Sequence, residues 1–280
     1  MAAHLKYAWP ALRRTVPAAL DSHVPRLGAA LSYYTLFAIA PMFIIALAVA
    51  GFWFGEEAAR RELFGQLSGL VGSEGAEALQ SLIAAANRPR AGMVATVVAI
   101  ITLLVGATGA FVELQDALNT LWKVEQTAGH GVWLFLKSRL LSFAMVVGIG
   151  FLLMVSLIVN AILAALGGWM QRVLPGGSAV WQILNFLISL GIITVLFALI
   201  FKVLPDAKIA WRDVWVGAML TALLFNMGKF LLGFYLGRAT VTSAYGSAGS
   251  LVVILIWVYY SAQILFFGAK YTQIYAELDR

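Results

Sequence analysis

Residues 180–204 read VWQILNFLISLGIITVLFALIFKVL, and Lys202 is their only charge. A helix that crosses a hydrocarbon core takes roughly 20 such residues. In lipid every backbone N–H and C=O needs a partner inside the protein, so a run of this kind is read as a transmembrane helix. Working outward, comparable runs occupy 29–53, 93–121, 134–166, 212–236 and 250–269. Six runs predict an all-α polytopic membrane protein, with a six-helix bundle over 29–269 inside one membrane domain covering 1–280. Residues 1–28 are then an N-terminal cytoplasmic segment and 270–280 a cytoplasmic tail. The runs are continuous rather than alternating, which argues against a transmembrane β-barrel.

Composition agrees. The chain is 62% hydrophobic and 11% charged, with a mean hydropathy of +0.90. A soluble domain carries about 25% charged residues. The net charge of +6 is read as topology rather than as a nucleic-acid surface, because Lys and Arg gather in cytoplasmic loops. There is no cysteine, so disulfides and thiolate metal sites are excluded. Arg13, Arg14, Pro17, Asp21 and Arg26 interrupt the first 28 residues. No cleavable signal is expected there, and the first span serves as an uncleaved anchor.

Charge sets orientation. Lys6, Arg13, Arg14, Arg26, Lys123, Lys137, Arg139, Lys202, Lys208, Arg212, Lys270 and Arg280 fall on one side, twelve in all. Arg60, Arg61, Arg88, Arg90, Arg172 and Arg238, six in all, fall on the other, and Lys229 lies within a span. Both termini are therefore expected in the cytoplasm. The 54–92 connection becomes the large external feature. Leu63, Leu67 and Leu70, then Leu79, Leu82 and Ile83, recur at helical spacing. Gly72-Ser73-Glu74 reads as a break between two short amphipathic helices, with Ser73 as an N-cap. These helices lie on the membrane surface or lid the external mouth.

Polar residues inside the spans mark the candidate path. Glu113 and Asp116, three residues apart, share a helix face that Asn119 extends. Intramembrane acids are costly and point to function by default; the structural alternative is an ion pair with Arg139 or Lys270. In the fifth span, Asn226 and Lys229 form a similar pair. Lys229 either snorkels to the interface or holds an anionic group in a cavity. Tyr33, Tyr34 and Thr35 precede Pro41, which frees the carbonyl of Phe37 and bends a helix. They line a cytoplasmic vestibule or serve as interface aromatics. Tyr245 and Gly246 open a small-residue run that leads to Ser250 and favours an irregular or closely packed approach to the sixth span. Gly233 and Gly237 are spaced for close helix packing.

The histidines, His4, His23 and His130, are scattered. No HExxH, P-loop, dinucleotide fingerprint or Gly-x-Ser-x-Gly occurs. No nuclease-like cluster is open to a soluble polyanion. No enzyme activity, cofactor or metal is expected.

Three stretches together resemble the YihY/BrkB family of bacterial inner-membrane proteins. The first is Ala29-Ala30-Leu31-Ser32-Tyr33-Tyr34-Thr35-Leu36 with Pro41. The second is Ala117-Leu118-Asn119-Thr120-Leu121-Trp122. The third is Tyr245-Gly246-Ser247-Ala248-Gly249, then Trp257-Val258-Tyr259 and Gly268-Ala269-Lys270. Leu204-Pro205-Asp206, with Trp211 and Gly217-Ala218, is a weaker fourth match. The resemblance implies six spans, cytoplasmic termini and the bacterial inner membrane. The family's former label, ribonuclease BN, is regarded as mistaken. Its members have been linked to serum resistance, a virulence trait, and to export of lipids or small solutes. The position after Gly268-Ala269 is commonly acidic in the family; here it is Lys270, which favours an ion pair with Glu113 or Asp116.

The reading is a transporter or exporter of a lipid or small solute, with membrane lipids as partners and no nucleic acid. The alternative is a non-transporting scaffold that organises envelope proteins. The sequence specifies no oligomeric state.

Overall fold

Every apolar run that the structure describes is helical. The structure is a computed structural model, and it describes residues 2–57, 60–61, 64–65, 80, 109–124, 177–236 and 249–279. The 134–166 run, Tyr245, Gly246, Gly237 and the Gly72-Ser73-Glu74 break lie outside the described residues. Of the 54–92 connection, Phe54–Glu57, Arg60, Arg61, Phe64, Gly65 and Gln80 are described, and all but Gly55 are helical.

Six helices follow one another among the described residues: α1 (Ala2–Asp21), α2 (Val24–Phe54), α3 (109–121), α4 (Gly177–Val203), α5 (Trp211–Leu236) and α6 (Gly249–Leu278). Within them, Ile183–Val203, Trp211–Leu232 and Leu251–Leu278 are long and apolar enough to cross a membrane. The last is 28 residues long, about 42 Å of helix against roughly 30 Å of hydrocarbon. It therefore tilts or protrudes.

Two boundaries differ from the sequence reading. The N-terminal segment is itself a helix, although Pro10 and Pro17 lie inside it. Both prolines are exposed, so the carbonyls they leave unbonded face away from the packed side. A turn at Ser22-His23, with His23 in the left-handed region at φ 55°, leads the chain into α2, whose first turn contains Pro25. At the other end, helix α6 continues through the expected tail, and Lys270–Ala276 are buried there. α2 runs through Pro41 as one helical segment.

α6 is the central element and packs on α1, α2 and α5, while α4 packs on α5. Phe201, Val214, Ala218, Phe266 and Ala269 fill the core together with Leu118 and Leu121 of α3. The α5–α6 contact is a reciprocal interlock. A Cβ added to Gly217 would sit 2.8 Å from Thr272 Cβ, and one added to Gly268 would sit 2.9 Å from Thr221 Cβ. Each threonine hydroxyl donates to the glycine carbonyl four residues back on its own helix, at 2.7 Å. Both hydroxyls are thus satisfied inside a dry contact where small residues let the backbones approach. Gly217-Ala218 and Gly268-Ala269, two of the stretches that carry the family resemblance, are therefore packing surfaces.

The outer surface is that of a protein solvated by lipid. Trp211, Trp215, Met219, Leu223 and Met227, at every fourth position of α5, are all exposed. Ile183, Leu184, Phe186 and Leu187 are exposed on α4. Buried hydroxyls of Thr15, Ser32 and Thr194 donate to carbonyls of their own helices, as a medium without water requires.

Candidate functional site

The α3 C-terminus builds the first polar group. Lys123, at φ 52°, closes the helix in the left-handed conformation. Lys123 N donates to Thr120 O at 3.1 Å and Val124 N to Asn119 O at 2.9 Å, the paired bonds of a Schellman stop. Asn119, 7% exposed, uses its side chain to hold the α4–α5 connection. Its Nδ2 donates to Asp206 Oδ2 at 3.0 Å, and Asp206 N donates to its Oδ1 at 2.8 Å. Gln115 Nε2 adds a bond to the same carboxylate oxygen at 3.2 Å. Ala117–Trp122 and Leu204-Pro205-Asp206, read separately in the sequence, thus form one junction. Lys202 fastens the same connection by donating to Ile209 O, with its ammonium 5.7 Å from the Trp211 ring centre.

Glu113 and Asp116 lie on α3 above this junction. Glu113 is partly buried and Asp116 exposed. The acids nearest in charge to them are each other and Asp206. The ion pair that the sequence offered between these acids and Lys270 is not formed. Lys270 is 5% exposed, and the charges around it are Lys123, Glu277 and Asp21. Asp21 and Lys123 mark the C-terminal ends of α1 and α3, where unbonded helix carbonyls carry partial negative charge. The carboxylates near the ammonium are thus those of Glu277 and Asp21, not those of α3. Among the described residues, Trp122 Nε1, Gln273 Oε1 and Asp213 Oδ1 are buried without a hydrogen-bond partner.

A second group lies far along α5. Asn226 and Lys229 line a cavity of about 650 Å³ together with Phe186 of α4 and Leu223, Leu224, Met227 and Phe230 of α5. It is open to the surroundings, with Phe186, Leu223, Met227 and Phe230 exposed, and its lining is apolar apart from those two residues. Asn226 Nδ2 donates to Ala222 O at 2.9 Å, which leaves its carbonyl oxygen for the cavity. Lys229 stands 18 residues beyond Trp211, about 27 Å up the helix.

Tyr33 and Tyr34 are exposed and Thr35 partly buried on α2. Tyr33 stacks edge-on with Tyr34 and Phe37 at ring-centre distances of 5.8 and 5.1 Å. Tyr34 also meets α3, since a Cβ on Gly109 would lie 3.4 Å from its ring. The expected path is therefore resolved into separate groups: Asn119 with Asp206 at one end of α5, Asn226 with Lys229 toward the other, and the tyrosines on α2. The sequence reading missed Gln115 and the pair of Arg212 with Asp279. It held Asp206 only as part of a weak match. A buried asparagine three residues from an acid was the signal for the junction; its partner, 87 positions away, was not.

These features define a helical integral membrane protein that carries isolated polar groups on an apolar scaffold. The chain belongs to the virulence factor BrkB family, whose pattern it matches over residues 16–280. It is 26% identical over 262 residues to the UPF0761 membrane protein RSc1559 of Ralstonia nicotianae, covering 92% of this chain and 56% of the relative. It is 26% identical over 262 residues to a UPF0761 membrane protein of Verminephrobacter eiseniae, covering 89% and 58%. A UPF0761 membrane protein of Pseudomonas aeruginosa is 28% identical over 251 residues, covering 88% and 57%. The chain spans a little over half the length of these relatives. No solved structure matches it.

Proposed function

We propose that the protein is an inner-membrane transporter or exporter of a lipid or small amphiphile. It crosses the bilayer six times with both termini cytoplasmic, and short amphipathic helices of the first external connection flank the outer mouth. The observation that carries this reading is the cavity between α4 and α5. It is apolar, opens among lipid-facing residues, and holds one cation, Lys229, beside one amide, Asn226. Acyl chains suit such a lining, and an anionic headgroup suits a lysine that water reaches. The Asn119–Asp206 junction and Lys270 then belong to the cytoplasmic end, and Glu113 stands where a proton carrier would be placed. The reading assigns no enzymatic reaction.

The test is translocation of a fluorescent phosphatidylglycerol in proteoliposomes. Wild-type protein accelerates exchange between leaflets, and Lys229→Met slows it about tenfold, the loss of one charge-assisted hydrogen bond. Exchange no faster than in protein-free vesicles rejects transport of lipid and favours the scaffold.

A further inference from the structure

Helix α1 is apolar on two opposite faces, and only one of them is covered by protein. Ala11 and Thr15 are fully buried and Ala19 nearly so. Ala11 joins Tyr271, Ile274 and Tyr275 of α6 in one cluster, and Tyr271 Oη donates to Ala8 O at 3.4 Å. The opposite face holds Trp9, Val16 and Leu20, exposed by 66, 53 and 64%. With Arg13, their spacing of four, three and four residues places them in one stripe along the helix. Arg13 is exposed within the stripe, and Arg14 is exposed about 100° further round the helix. The acidic residue of α1 is Asp21, at its last position.

We propose that this outer face of α1 docks on the bilayer surface and selects anionic lipid headgroups there. An indole beside aliphatic side chains suits the boundary between headgroup and acyl chain. An arginine amid apolar neighbours lays its stem along them and lifts its guanidinium to phosphate, which it binds as a planar fork. The charge fits one occupant: arginines in the first four turns with no carboxylate among them meet an anionic surface. Because the packed face grips Tyr271 and Tyr275, headgroup contact is transmitted directly to the end of α6. The proposal is independent of the cavity at Lys229.

The chain has no cysteine, so Trp9→Cys and Val16→Cys accept a single environment-sensitive fluorophore on exposed positions of the full protein. Proteoliposomes of phosphatidylcholine with a minor fraction of phosphatidylglycerol are prepared with bromine on the chains of one lipid or the other. The labels are expected to be quenched, and more strongly by brominated phosphatidylglycerol than by brominated phosphatidylcholine at the same mole fraction. Arg13→Gln and Arg14→Gln should each lower that preference roughly fivefold, with an unchanged melting temperature. High salt should lower it as well. Absence of quenching, or equal quenching by the two lipids, overturns the proposal. So does energy transfer between labels that survives dilution in lipid, which would place a second copy of the chain on the stripe.

Discussion

The interlock of α5 and α6 makes a quantitative demand. Gly217→Ala places a methyl carbon 2.8 Å from Thr272 Cβ, whereas unstrained carbons rest about 3.5–4.0 Å apart. Relief needs roughly 1 Å of separation between two helices whose contact runs through Ala218, Ala222, Phe266 and Ala269. A gap of that size forfeits a quarter to a half of each affected contact, and overpacking of this kind costs about 1–3 kcal/mol. Thr272→Gly removes the obstructing carbon at about 0.3 kcal/mol of helix propensity, besides the packing of a fully buried side chain. The double variant Gly217→Ala/Thr272→Gly should therefore be more stable than the sum of the single effects, with a coupling of about 1–2 kcal/mol. Unfolding in mixed detergent micelles, followed by circular dichroism, measures each corner of the cycle. Strict additivity would falsify the contact and the reciprocal pair at Gly268 and Thr221 with it.

Asn119→Ala removes two bonds to Asp206, whose exposed carboxylate keeps Gln115, and should cost about 0.5–1.5 kcal/mol with faster proteolysis in the 204–210 connection. Lys123→Gly relieves a left-handed lysine and should raise stability by about 1–2 kcal/mol in the same detergent unfolding assay; a loss would contradict the Schellman stop. Lys270→Met removes a buried ammonium that faces another lysine, and is expected to raise the melting temperature. If it lowers the melting temperature instead, the helix ends of α1 and α3 depend on that charge.

The spans over 180–204, 212–236 and 250–269 were legible because the membrane imposes one simple rule on composition. Expected limits of 212–236 and 180–204 fall within a few residues of α5 and α4. Helix α1 was not legible. Two prolines and the charges around them break its apolar pattern, and its packed face has meaning only against Tyr271 and Tyr275, some 260 positions later. The same holds for the tail, where residues 270–278 read as polar because α1 and α5, rather than lipid, cover them. Among the site residues, Asn226 and Lys229 were readable as neighbours on one helix and do share a cavity. Lys270 was offered to Glu113 or Asp116 as one alternative, whereas the charges around it belong to Lys123, Glu277 and Asp21, which a sequence does not show to be near it.

The fastening of the helices also decides how this bundle can breathe. α5 and α6 are pinned at two levels, by Gly217 with Thr272 and by Gly228 with Tyr260. α4 is held from Leu190 onward, through Thr194 against Met219 and Phe197 against Phe225, and its end is clasped to α3 through Asp206. Nearer its start, Ile183–Leu187 are exposed. The clasp lies at the far end of α4 from these residues: Phe186 is 17 residues from Val203, about 25 Å. Over that length a change of about 5° in the angle of α4 at the clasp would displace Phe186 by about 2 Å, so the shape of the pocket beside Lys229 depends on how firmly Asn119 holds Asp206.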